Sequence, residues 1–138
     1  MYIRSVTKNT ASNPIARAVA RQKLRLEIVN QKIALYMTEQ GEDRTDLWEA
    51  IATTLALVGA ASEIEPKIGP NDQRVKILRG GLSACQQLIL SGRFDKSQTV
   101  SICRALDEAE SLNVWISPSA IQKAFKICQD QNLLPQLQ

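Results

Sequence analysis

Apolar residues recur every three or four positions along most of this chain of 138 residues, and glycine and proline cut the pattern into five segments. That spacing is the signature of helices with one greasy face. The first segment predicts a helix over 14–40. Asn13 serves as N-cap, Pro14 takes the first helical position and Gly41 is the stop. Within it Ile15, Val19, Gln22, Leu26, Val29, Ile33 and Tyr36 step alternately by four and three. This is the a/d spacing by which a helix packs in a bundle or coiled coil. Such a helix runs about 40 Å, long for a domain of this size.

The second helix follows "GEDRTD", with Asp43 or Thr45 as cap and Asp46 and Glu49 in the first turns, where the helix dipole favours negative charge. Leu47, Ile51, Leu55 and Val58 form its stripe. "EPKIGPND" ends it and supplies Asn71 or Asp72 to cap a third helix over 73–90, with Val75, Leu78, Leu82, Cys85 and Ile89 in line. Gly80 and Gly81 sit inside that helix, and together they cost on the order of 2 kcal/mol of helix propensity. They mark a kink, a break or a close crossing. After "SGRFD", the stretch "DKSQ" matches a capping box for a fourth helix whose inward residues are Val100, Cys103, Leu106 and Ala109. Trp115 is expected to anchor the next connection. Ser117 and Pro118 open a fifth helix that buries Ile121, Ala124, Phe125 and Cys128. No run alternates apolar and polar residues long enough for a sheet. The expected fold is therefore all-α: a compact bundle of about five helices, with an arm over 1–13, one helical domain over 14–132 and a tail over 133–138.

The first helix carries a second apolar line. With Leu26 at zero and about 100° per residue, Leu24, Ile28 and Leu35 fall opposite the a/d stripe, flanked by Arg17, Arg21, Arg25 and Lys32. A helix at the edge of a bundle needs one apolar face, and this one has two. Either it is central and covered on both sides, or the second line meets another chain. Arginine beside aliphatic residues is a composition favoured at protein interfaces. The candidate interface is thus Arg17, Arg21, Leu24, Arg25, Ile28, Lys32 and Leu35, and a symmetric pair of identical chains is its simplest use.

Composition narrows the chemistry. The chain is 44% hydrophobic and 22% charged, which suits a folded domain. Only 4% is aromatic, so the core is aliphatic. The longest uninterrupted candidate for a membrane span, 51–61, is short and contains Thr53, Thr54 and Gly59. Three cysteines at spacings of 18 and 25, with no histidine, offer neither a disulfide framework nor a zinc site. Buried free thiols and a cytoplasmic location are the expectation. Charge falls in blocks: net +5 over residues 1–40, −5 over 41–72 and +3 over 73–138.

Without histidine the commonest general base is missing, and no Walker loop, GxGxxG, GxSxG or HExxH motif occurs. No catalytic residue, metal ligand, cofactor site or small-molecule substrate is expected. The carboxylates of "DEAE" at 107–110 read as solvated surface. Arg17, Arg21 and Arg25 recur every four residues and suit a phosphate backbone, with Arg4 and Lys8 on the arm. The segment 82–106 has the outline of a helix-turn-helix that would present Gln98, Thr99 and Arg104, but its turn is about two residues too long. The expected function is therefore a non-catalytic helical binding protein that associates with itself or a protein partner through its first helix. Bacterial and phage accessory or inhibitor proteins are the broad class. A DNA- or RNA-binding regulator is the alternative.

Overall fold

The computed structural model describes residues 14–131, with the side chains of 14–17 and 20 left aside. Five helices follow one another: α1 Pro14–Tyr36, α2 Thr45–Ile64, α3 Gln73–Ser91, α4 Thr99–Asn113 and α5 Pro118–Asp130. One 3-10 turn, Lys96–Gln98, precedes α4. No strand occurs among the described residues, so the all-α bundle expected from the periodicity is what the chain forms. The arm over 1–13 and the tail over 133–138 lie outside the described residues.

Local chemistry sets most of the boundaries. Asp72 caps α3 by accepting from the Arg74 N–H at 2.9 Å, and Gly92 ends it at a φ of 75°, a conformation side chains resist. Ser117 caps α5 by accepting from the Ala120 N–H, with Pro118 in the first turn. Asp95 caps the 3-10 turn through the Ser97 N–H, and α4 itself starts only at Thr99. The first helix is shorter than expected, ending at Tyr36, where Thr38 folds back to donate to the Ala34 carbonyl.

The centre of the bundle is α2. By length and composition it is apolar enough to cross a membrane, and 44% of that stretch is buried within the protein. It touches every other helix, which is why it is apolar on more than one side. Trp48, Ile51, Leu55, Val58 and Ala61 are its fully buried apolar residues, and Trp48 stacks on Phe94 with ring centroids 6.3 Å apart. Phe94 comes from the α3–α4 connection. Its backbone exchanges hydrogen bonds with the α1–α2 connection: Gly41 N–H to Phe94 O and Phe94 N–H to Glu42 O, both 2.8 Å. The two loops thus clamp one end of the bundle.

The glycine pair resolves into a close crossing. α3 runs unbroken through it. A Cβ on Gly81 would overlap that of Ala105 and come within 3.2 Å of Leu55 Cδ1, so α2, α3 and α4 approach closely here because Gly81 has no side chain. Gly80 faces open space. Two expected core residues and one expected anchor are corrected. Val100 is exposed because α4 turns Ile102 and Ala105 inward beside the expected Cys103, Leu106 and Ala109. Phe125 and Trp115 lie at the surface, while Ala120, Ala124, Cys128 and Ile116 fill the space beneath.

Candidate interface on the first helix

α1 rests on α2 and α4. The face that meets them is the line Leu24, Ile28, Gln31 and Leu35, spaced 4, 3 and 4. Ile28 and Leu35 are fully buried, and Leu24 packs against the core half-buried. These three residues were expected on an interface with another chain. The structure instead places them inside this one. Gln31 sits among them, and its amide donates to Thr54 Oγ1 at 3.0 Å and to the Ala50 carbonyl at 3.4 Å. A polar side chain thus pins α1 to α2 within an otherwise apolar contact.

Charge agrees with the face that turns inward. Lys32 Nζ bonds to Asp107 Oδ1 and lies 3.8 Å from Glu110, while Arg25 Nε lies 3.7 Å from Glu110. The hydrogen bond that Lys32 donates to Asp107 holds its ammonium above the ordinary pKa, against the pull of partial burial. These pairs form only when the Ile28 side of α1 meets α4. Of the "DEAE" carboxylates, expected as solvated surface, Asp107 remains largely exposed, and Asp107 and Glu110 also pair with Lys32 and Arg25 of the basic stripe.

The a/d stripe, expected as the packed face, therefore points outward. Val19, Leu26, Ile33, Tyr36 and the adjoining Met37 expose 49%, 52%, 53%, 68% and 76% of their surface. Val29 is half-buried and Gln22 exposed. An apolar row of this length on one helix exceeds the scattered surface residues that need no explanation. The signal was in the sequence, since both lines carry 3–4 spacing. Spacing alone does not say which one the bundle covers.

The described residues of the nucleic-acid alternative border different grooves. Arg21 and Arg25 line an open groove with Asp107, Glu110 and Asn113, and the Asn113 amide donates to the Arg21 carbonyl. Arg104 instead borders a shallow groove with Ile77, Gly80 and Val100, and Gln98 one with Gln40 and Phe94. Thr99 is half-buried at the start of α4. Arg4, Lys8 and the side chain of Arg17 lie outside the described residues.

The thiols offer no reactive group. Cys85 is fully buried and its pKa is pushed up to about 12 by desolvation, and burial also raises Cys103 and Cys128. Among the described residues, no group of three acidic or cysteine side chains is placed to hold a metal. One buried carboxylate has a structural task. Glu65, at the end of α2, accepts the Ser117 N–H at 2.8 Å. It does for α5 what the glutamate of a capping box does, but from a distant segment. That hydrogen bond holds its pKa below the usual value despite desolvation.

No family model, curated protein or solved structure matches this chain.

Proposed function

We propose that this protein is a non-catalytic binding protein that works through the outer face of α1. The single observation that supports this most strongly is the exposed a/d row Val19, Leu26, Ile33 and Tyr36 on a helix whose opposite face is already satisfied by the bundle. The a/d spacing is complementary to a second helix of the same period, and leaving it in water forgoes about 25 cal/mol per Å² of apolar surface. Pairing of the basic stripe with Asp107 and Glu110 favours a protein partner over a phosphate backbone.

Sedimentation equilibrium of the wild type beside Leu26→Glu and Ile33→Glu tests the reading. We expect a species heavier than the monomer that both substitutions abolish, with helical content unchanged. Association unaffected by either substitution would count against it, as would loss of fold in either variant.

A further inference from the structure

We infer that α5 is a detachable cover: it leaves α2 as a unit while the other four helices stay folded. α5 packs on α2 and on no other helix to a comparable extent, whereas each of the other helices has at least two such neighbours. An element held from one side is the kind that opens below the cost of global unfolding.

What α5 buries is small. Ala120, Ala124 and Cys128 are its buried residues, spaced by four, and Phe125 and Ile127 each expose 40% of their surface. The Cys128 thiol lies 3.8 Å from the Ala56 carbonyl, and Ala52 and Ala60 share the line of α2 that runs through Ala56. Two rows of small side chains let the helices approach closely. They give up little apolar surface on parting, since each alanine buries one methyl group. The contacts among the other four helices use Trp48, Ile51, Leu55, Leu78, Ile102 and Leu106 instead.

Polar ties are equally few. Among the described residues, no ion pair joins α5 to the bundle. The hydrogen bond from the Ser117 N–H to Glu65, 2.8 Å, ties down the near end. Ile116, buried in the connection 114–117, holds that end in place and makes it the pivot. The far end rests on Cys128. A helix of 13 residues does not keep its shape alone in water, so α5 also loses helix when it lifts. Opening bares the Ala56 side of α2 and the Cys128 thiol, and leaves the rest of the core packed.

Thiol labelling of the full chain tests this. Cys85 in α3 and Cys128 in α5 are both fully buried, so each reacts only when its surroundings open. The protein is pulsed with N-ethylmaleimide in native buffer and in dilute urea, and the labelled cysteines are assigned by peptide mass. We expect Cys128 to react about a hundredfold faster than Cys85, with a weak dependence on urea where Cys85 has a steep one, because the lifting of α5 exposes little surface. Glu65→Ala should speed Cys128 about tenfold, through loss of a hydrogen bond to a charged acceptor. Ile28→Ala, on a helix that α5 does not pack against, should speed Cys85 by about thirtyfold or more. It should leave Cys128 unchanged, since it weakens the closed and open forms alike. Equal rates for the two thiols with the same urea dependence overturn the proposal, and so does Ile28→Ala speeding both by one factor. Cys128 labelling that is indifferent to Glu65→Ala overturns opening as a unit, because the near end would then stay tied while the far end frays.

Discussion

Two glycines that are neighbours in sequence differ completely in what they touch. Gly80 lies in a helix interior with open space around it, so Gly80→Ala gains helix propensity and should raise stability by about 0.5–1 kcal/mol. Gly81→Ala meets Ala105 and Leu55, and overpacking of that kind costs about 1–3 kcal/mol, more than the propensity returns. Urea midpoints of the two variants should move in opposite directions, and stabilisation by both would remove the close crossing from this account. Glu65 supplies a second test. Its folded pKa is depressed, so its contribution is present above the unfolded value near 4.5 and is lost as pH falls through the folded one. Stability should decline below that pH, and Glu65→Gln should flatten this part of the profile. An identical acid profile in the variant would mean that the contact with Ser117 carries no linkage.

At the scale of the helix, α1 is defined by the contrast between its faces. Ile28→Ala should cost about 2–5 kcal/mol in thermal or urea unfolding, because it empties a fully buried site. Leu26→Ala and Ile33→Ala should change the stability of the monomer by less than about 0.5 kcal/mol. Equal losses at Ile28 and Ile33 would mean that the bundle covers both sides. Most elements were legible in the sequence because their punctuation is chemical: Asp72, Gly92, Ser117 and Pro118 act where their side chains or φ preferences predict. The orientation of α1 was not. Leu24, Ile28, Gln31 and Leu35 carry the same 3–4 spacing as the a/d row, and Gln31 breaks the apolar line that would have drawn attention to it. What decides between the faces is long-range: which line fits against α2 and α4, with Lys32 paired to Asp107, 75 residues away in the chain. Val100 and Phe125 mislead for a related reason. α4 and α5 bury small residues, Ala105, Ala109, Ala120 and Ala124, where helices approach closely, and leave larger neighbours outside.

At the scale of the molecule, α2 holds the bundle together and the two loops clamp one end through Phe94 and Trp48. Phe94→Ala should remove about 3–5 kcal/mol, since it empties the stacked site and loosens the connection that pairs with Gly41 and Glu42. A loss below about 1 kcal/mol in urea unfolding would mean that the clamp is ornamental. The central claim is that one face of α1 builds the fold and the other is a face for association. Thermal unfolding followed across a wide range of protein concentration tests it most directly, because association of folded chains raises Tm by mass action. The account predicts a Tm that climbs with concentration in the wild type and stays level in Ile33→Glu, with the two meeting at high dilution. A wild-type Tm independent of concentration, or an Ile33→Glu that melts lower even at high dilution, would contradict it.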